Sequence, residues 1–334
     1  MSPSDRLSRP LHDLRISVTD RCNFRCPYCM PAEIYGERYE FLPRSEILTF
    51  EEIERVARIT TGLGIRKIRI TGGEPLLRKE IESLIQSLSS LPLVEDLTLT
   101  TNGVLLGDMA QTLKDSGLNR VTVSLDSLDP DVFREMAGRD ESPETVLKAI
   151  SAAEQAGLAP IKINAVVKRG ANDHTYVDLA RHFHGTGHIL RFIEYMDVGT
   201  RNDWKLEHVV PAEEILSRIN DVLPIEPIDP NYQGEVARRY RYVDGGGEIG
   251  VIASVTQPFC GDCTRLRLST DGKLFTCLFA ETGTDIRNSL RDGSSDDEIE
   301  RQIADIWTHR EDRYSELRTE QTAPKKIEMY QIGG

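Results

Sequence analysis

Nowhere in the 334 residues do about twenty apolar residues run together, and the opening Met-Ser-Pro-Ser-Asp-Arg has no apolar core of the kind a secretory signal needs. No membrane span is expected, and a cytoplasmic location is. Cations are in the minority, 41 Lys and Arg against 54 Asp and Glu, giving a formal net charge of −13 and a pI near 5.1. A surface of that sign repels nucleic-acid backbones and anionic headgroups, so neither nucleic acid nor membrane is expected as a partner. The P-loop string is missing, which excludes that way of holding nucleotide phosphates. Solenoid repeats and low-complexity tracts are missing too. Cysteine is scarce, and the six present fall into two groups, Cys22/Cys26/Cys29 and Cys260/Cys263/Cys277. A reducing compartment would leave both groups available as thiolate ligands.

The first group, Cys22-Asn-Phe-Arg-Cys26-Pro-Tyr-Cys29, follows directly on an apolar strand pattern, Leu14-Arg-Ile-Ser-Val-Thr19. Three thiolates suit three corners of a [4Fe–4S] cluster and leave one iron open to a substrate or cofactor. Structural zinc usually takes four nitrogen or sulfur ligands, and no fourth Cys or His stands beside this triplet; His12 precedes the strand. The second group has the same ligand count. Zinc stays open there, because paired cysteines two residues apart are common in zinc ribbons.

From residue 14 to about 196 the chain repeats a short apolar strand, a polar loop and an amphipathic helix, the pattern of βα units in a parallel sheet. Strands are expected at 14–19, 67–71, 95–101, 120–126, 161–167 and 188–195. Six units fall short of the eight that close a barrel, so the expected fold is α/β, a partial (β/α)6 TIM-like barrel whose open side is covered by a C-terminal antiparallel and helical extension. Hairpin signals at 238–255 and 265–278 supply that cover, after a linker rich in Pro and Asp. The boundary is expected between a first domain of residues 1–221, carrying the first cluster, and a second of residues 222–334, carrying the second.

Catalytic groups of βα folds gather at the C-terminal ends of the strands. Here those ends read Thr71-Gly-Gly-Glu74-Pro75, Thr100-Thr-Asn-Gly103, Ser124-Leu-Asp126 and Glu194-Tyr-Met-Asp197. A Gly-Gly pair lets a ligand approach the backbone, though an ordinary turn before a helix would use one as well. Four cations, Arg15, Arg69, Lys162 and Arg191, stand inside apolar strands. Any one alone would snorkel or pair with a carboxylate; four converging on one mouth point to a phosphorylated small molecule, whose oxygens match the guanidinium fork. Alternation adds Arg265 and Arg267 on one strand face, with Leu266 and Leu268 on the other.

With both cysteine groups, Ile-Thr-Gly-Gly-Glu-Pro-Leu-Leu-Arg, Val-Ser-Leu-Asp-Ser-Leu-Asp, Arg-Phe-Ile-Glu-Tyr-Met-Asp-Val-Gly and a terminal Gly333-Gly334, the chain resembles the GTP 3′,8-cyclase family of radical S-adenosylmethionine enzymes. The resemblance implies two [4Fe–4S] clusters, one on Cys22, Cys26 and Cys29 and one on Cys260, Cys263 and Cys277. It implies contacts of Tyr28, Gly73, Ser124 and Met196 with S-adenosylmethionine, and of Arg15, Arg69, Thr100, Lys162, Arg265, Leu266 and Arg267 with GTP. Arg15, Arg265, Arg267, Gly333 and Gly334 would serve catalysis, although a frayed terminus is the usual state of chain ends. The implied reaction takes the 3′ hydrogen of GTP and joins the ribose to C8 of guanine, the first step of molybdenum cofactor biosynthesis. Implied partners are cyclic pyranopterin monophosphate synthase and an electron donor such as flavodoxin or ferredoxin; a homodimer is open. A peptide-modifying enzyme with an auxiliary cluster and a non-catalytic electron carrier are the rivals, the latter with no use for a Gly-Gly-Glu turn or for cations inside strands.

Overall fold

Strands β1 (Asp13–Ser17), β2 (Lys67–Thr71), β3 (Asp96–Thr101), β4 (Arg120–Ser124), β5 (Lys162–Val167) and β6 (Ile189–Glu194) lie side by side in chain order, all parallel. Each expected strand is met to within two residues at either end. The computed structural model describes residues 3–232, 234–318 and 326–333. Helices α1 (Phe50–Gly62), α2 (Ile81–Ser89), α3 (Leu106–Asp115), α4 (Pro130–Ala137), α5 (Pro143–Gln155) and α6 (Tyr176–Phe183) fill the crossovers, and α7 (Ala212–Asn220) follows β6. Their starts are written locally. Thr49 and Glu52 close a capping box on α1, while Asp129 and Ser142 cap α4 and α5 ahead of a proline in the first turn. Among the described residues no helix is long and apolar enough to cross a membrane.

The period of two along each strand sorts the side chains onto two faces. Leu14, Ile16, Ile68, Ile70, Leu97, Leu99, Val121, Val123, Ile163, Ala165, Leu190 and Phe192 are sealed in the main core. The residues between them are polar, and the register sets Arg15 beside Arg69, Thr100 beside Thr122, Thr122 beside Lys162, and Asn164 beside Arg191. The sheet is therefore greasy on one face and cationic on the other.

The remaining strands, β7 (Ile225–Ile228), β8 (Arg238–Tyr242), β9 (Glu248–Ile252), β10 (Arg265–Leu268), β11 (Lys273–Phe275) and β12 (Thr284–Asp285), form the expected antiparallel hairpins. They also do more than cover an opening. β9 adds in parallel to β6, and β10 adds in parallel to β1, giving one twelve-stranded sheet in the order β12-β11-β10-β1-β2-β3-β4-β5-β6-β9-β8-β7. Pairing of Arg15 with Arg267 across β1 and β10 extends the cationic face into the extension. Helices α8 (Arg287–Arg291), α9 (Asp296–Thr308), α10 (Tyr314–Leu317) and α11 (Met329–Ile332) complete the chain. α9 packs on α1, with Arg55 Nε 2.7 Å from Asp296 Oδ1.

Candidate active site

The first cysteine loop is fastened from three sides. Arg25 donates its main-chain N–H to Ala137 O at the end of α4 (2.8 Å) and its Nε to Tyr35 O (2.6 Å). Gly138 follows Ala137 in the left-handed region at φ 61°, and a Cβ there would run into the Arg25 carbonyl. From the β2 end, Gly73 N and Glu74 N donate to Thr19 O and Arg21 O at 2.7 and 2.8 Å, so closely that a Cβ on Gly73 would overlap the Arg21 carbonyl. From the β3 end, Asn102 Nδ2 donates to Asn23 Oδ1 at 2.7 Å and lies 3.9 Å from Cys22 Sγ. Glu74 ties these loops together, accepting from Leu76 N, Thr101 Oγ1 and Asn102 N at 2.8 to 3.0 Å. Burial pushes its carboxyl up to about 7 against those donors.

All six cysteines are free thiols. Burial pushes the Cys22 thiol up to about 12 and raises Cys26 and Cys29, each further opposed by the others of its triplet or by nearby carboxylates. Thiols in such a place shed their protons only to a strong positive charge, as a metal centre supplies. The donor set is wholly sulfur, which suits iron–sulfur ligation. Among the described residues no three His, Cys, Asp or Glu side chains converge as they would on a single metal ion. Phe24 N points at Cys22 Sγ and Phe279 N at Cys277 Sγ, both at 3.4 Å, the kind of amide contact that steadies thiolate ligands.

Beside the loop, Tyr28 Oη donates to Asp126 Oδ2 at 2.7 Å, and Asp126 Oδ1 accepts from Val166 N at 2.8 Å. Burial raises the Asp126 carboxyl to about 6. Ser124 ends β4 half-buried, one strand from Asn164. Tyr28 stands within the first triplet's loop, Gly73 follows β2 against Arg21 and Ser124 ends β4, whereas Met196 lies on the wall of the neighbouring cleft.

That cleft has a volume of about 1320 Å³, its open mouth included. Cys260, Cys263 and Cys277 line it, as do Arg15, Arg69, Thr100, Lys162, Arg191, Arg265 and Arg267. Arg69 Nη1 donates to Thr100 Oγ1 and Thr122 Oγ1 at 2.9 and 3.0 Å, Arg191 Nε to Asn164 Oδ1 at 3.0 Å, and Arg265 Nη2 lies 3.3 Å from Cys263 Sγ. Among the described residues, none of Arg15, Arg69, Lys162, Arg191, Arg265 and Arg267 has a carboxylate within ion-pair distance. The strain of that crowding is electrostatic. Burial, and then neighbouring cations, bring Lys162 down to about 7, Arg69 to about 10, and Arg191 and Arg267 to about 9, and lower Arg15 as well. Cys263 goes the other way: burial pushes its thiol up, yet Arg265 and Arg310 hold it at about 6. Leu266 stands apart from the other residues expected at GTP, its side chain fully buried in the core behind the sheet.

The tail reaches Arg267 on the cleft wall. Arg267 Nη1 donates to Gly333 O, and the Tyr330 carbonyl accepts from Ser17 Oγ at 3.1 Å. Gly334 lies outside the described residues.

Several groups at this site escaped the sequence reading. Lys67 lines the cleft, donating to Tyr232 Oη at 2.8 Å; its place two residues before Arg69 in β2 puts it on the same face, a signal that alternation carries. Arg9 and Arg310, both buried, grip the second cysteine loop by its carbonyls: Arg9 Nη1 donates to Cys260 O at 2.6 Å and Arg310 Nη1 to Cys263 O at 2.6 Å. Asp5 stands between them, 2.5 Å from Arg9 Nε and 3.4 Å from Arg310 Nη1. No local pattern marks that trio. Ser254 Oγ, on the cleft wall, is buried with no hydrogen-bond partner among the described residues.

The chain matches the Radical SAM superfamily over residues 16–183 and the family described as Molybdenum Cofactor Synthesis C over residues 188–316. A GTP 3′,8-cyclase of Acidothermus cellulolyticus is 57% identical over 318 residues, 94% of this chain and 88% of that protein. GTP 3′,8-cyclases of Staphylococcus carnosus and Xanthomonas campestris are each 48% identical over 99% of this chain, covering 98% and 97% of their own length. Among solved structures, Streptococcus suis SuiB bound to S-adenosylmethionine superposes with a TM-score of 0.64 at 17% identity, over 93% of this chain and 68% of that one.

Proposed function

Since the chain belongs to the GTP 3′,8-cyclase family of radical S-adenosylmethionine enzymes, we propose how its own residues share out the reaction. The enzyme cyclises GTP to (8S)-3′,8-cyclo-7,8-dihydroguanosine 5′-triphosphate, releasing 5′-deoxyadenosine and methionine, in the first step of molybdenum cofactor biosynthesis. An iron–sulfur centre and S-adenosylmethionine, when bound, supply the one-electron chemistry that removes a ribose hydrogen. Cys22, Cys26 and Cys29 hold one [4Fe–4S] cluster and Cys260, Cys263 and Cys277 a second. The all-sulfur donor sets, three free thiols in each, support both assignments. Tyr28, Gly73, Ser124 and Met196 bind S-adenosylmethionine, with Asp126 fixing the Tyr28 ring and Glu74 fixing the Gly-Gly turn.

The observation that carries the substrate assignment is the set of six cations in one cleft beside the second triplet that, among the described residues, have no carboxylate within ion-pair distance. A cleft in which six such cations outnumber the lining carboxylates Asp13, Glu235 and Asp312 is built for a polyanion, and Arg15, Arg69, Lys162, Arg191, Arg265 and Arg267 bind the triphosphate with Thr100. The base then lies toward Cys260, Cys263 and Cys277. Held between two cysteine triplets, the ribose presents one hydrogen to the first site, and positioning decides which hydrogen reacts. Arg267, through Gly333, brings the tail to the reacting end, and Arg15 and Arg265 orient the nucleotide there. On this reading residues 1–221 start the reaction and supply four of the six phosphate cations, while residues 222–334 hold the base and add Arg265 and Arg267. Cyclic pyranopterin monophosphate synthase takes the product, and a flavodoxin or ferredoxin supplies electrons.

The test is an anaerobic turnover with reconstituted protein, reductant, S-adenosylmethionine and GTP deuterated at C3′. Label is expected in 5′-deoxyadenosine; unlabelled 5′-deoxyadenosine, or none in the presence of GTP, contradicts the assignment.

A further inference from the structure

In a cleft lined mainly by cations, an acid needs a reason. Asp13 has one, since Lys67 Nζ lies 3.9 Å from Oδ1 and Thr264 Oγ1 donates to Oδ2 at 2.7 Å. Glu235 has one too, both its oxygens accepting from Asn231 at 2.7 and 3.2 Å. Asp312 has only half of one. Its Oδ2 accepts from Thr276 Oγ1 at 2.5 Å and lies 3.5 Å from Arg310 Nε. Its Oδ1 has no hydrogen-bond partner among the described residues, and the side chain keeps 33% of its surface open on the cleft wall.

The carboxylate is held in place. The Asp312 carbonyl accepts from the buried Arg9 at 2.8 Å, the guanidinium that also grips Cys260, and Thr276 is the residue before Cys277. Asp312 thus stands at the end of the cleft where the second triplet lies, beside Arg310, with Arg265 reaching the same cysteines. Of the parts of GTP, the triphosphate repels a carboxylate, and the ribose hydroxyls suit either sign of partner. Guanine offers two pure donors side by side, N1–H and the amino group on C2, and of the two only the amino group is missing from hypoxanthine.

We propose that Asp312 determines base specificity, its Oδ1 accepting a hydrogen bond from the guanine 2-amino group, with Thr276 orienting the carboxylate through Oδ2. This rests on the reading above that places the base toward Cys260, Cys263 and Cys277. Adenine and hypoxanthine lack an amino group at that carbon. Either would leave a desolvated carboxylate oxygen unpaired, and a site built to hydrogen-bond a substrate group rejects analogues without it more strongly than an apolar pocket rejects a misfit.

The experiment compares GTP with inosine triphosphate, which differs by that amino group alone, in equilibrium binding to the reconstituted enzyme. Wild-type protein is expected to favour GTP by at least about tenfold, the worth of one hydrogen bond to a charged group. Asp312→Ala should bring the two affinities to within about twofold, mostly through loss of GTP binding. Asp312→Asn keeps an acceptor for Thr276 and should lower the ratio severalfold. Iron content is measured on every sample. A wild-type ratio near one, or a variant that retains its iron and the wild-type ratio, overturns the assignment to Asp312. Wild-type protein that bound neither nucleotide would sink the reading of the cleft on which it rests.

Discussion

Lys326 Nζ lies 2.6 Å from Asp197 Oδ2, and both side chains are buried. The same ammonium donates to Asp197 O at 2.9 Å and to Tyr314 Oη at 2.5 Å, while Arg318 adds a second cation 2.8 Å from Asp197 Oδ1. Asp197 belongs to the loop after β6, and Lys326 to the tail that ends beside Arg267. The pair therefore fastens the tail to the barrel mouth seven residues before Gly333. Lys326→Met leaves a buried carboxylate with one cation fewer, at a cost of about 3 kcal/mol. Turnover should fall at least about tenfold with little change in the KM for GTP, because the tail is displaced while the phosphate cations stay. Thermal unfolding and steady-state kinetics check both halves.

Proton linkage gives a second expectation. Burial, then Arg191, Arg120 and Lys67, bring Lys162 down to about 7 from 10.5, with Glu235 opposing, and Lys67 falls to about 8. Above about pH 7 the unfolded chain holds protons on these lysines that the folded apoprotein has begun to shed. The stability of the apoprotein thus rises with pH through that window. A bound triphosphate draws the protons back, so GTP binding should take up protons near pH 8 and weaken from about pH 6 to about pH 9. Calorimetry in buffers of different ionisation heat measures the uptake; Lys162→Met should reduce it, and pH-independent affinity would contradict the argument.

Asp5 is a third point of leverage. Replaced by Asn, it leaves Arg9 and Arg310 buried without their shared carboxylate, and removing one partner from a buried ionic group costs about 3 to 5 kcal/mol. The two arginines hold the carbonyls of Cys260 and Cys263, so the second triplet should lose its order first. The expected outcome is a lower unfolding temperature with about half the iron after reconstitution, while reductive cleavage of S-adenosylmethionine at the first triplet persists. Full iron content in Asp5→Asn would show that the clamp is dispensable.

Gly73→Ala should do the reverse. A methyl group there collides with the Arg21 carbonyl beside Cys22, a backbone contact that cannot swing aside. The first triplet is expected to lose its iron and the second to keep it, with GTP still bound in the cationic cleft. Retention of S-adenosylmethionine cleavage would show that the cysteine loop tolerates the shift.

Much of this was legible in residue order. The six barrel strands announce themselves because each alternates apolar residues for the helix-covered face with polar ones for the other, and a polar loop and an amphipathic helix follow. Both cysteine triplets were visible as spacing. What local pattern does not carry is partnership between distant segments: that β9 completes the sheet beside β6 and β10 beside β1 depends on pairings such as Leu190 with Ile249 and Asp13 with Arg265, far apart in the chain. Arg9 and Arg310 were unreadable for the same reason, one near each end of the sequence and meeting at one cysteine loop. Leu266 shows the opposite case. Alternation alone sets its side chain on the apolar face, where the structure has it, so main-chain groups are all it has to offer a nucleotide.

The flanking of the barrel sheet by later strands also bears on how the chain is made. When the ribosome has released residues up to about 221, β1 and β6 stand as bare edges, each a row of unpaired amides and carbonyls able to pair with another nascent chain. Their natural neighbours, β10 and β9, emerge only seconds later at ordinary elongation rates. The first part of this protein thus leaves the tunnel in need of shelter, and a chain stopped at that point should be recovered in aggregates.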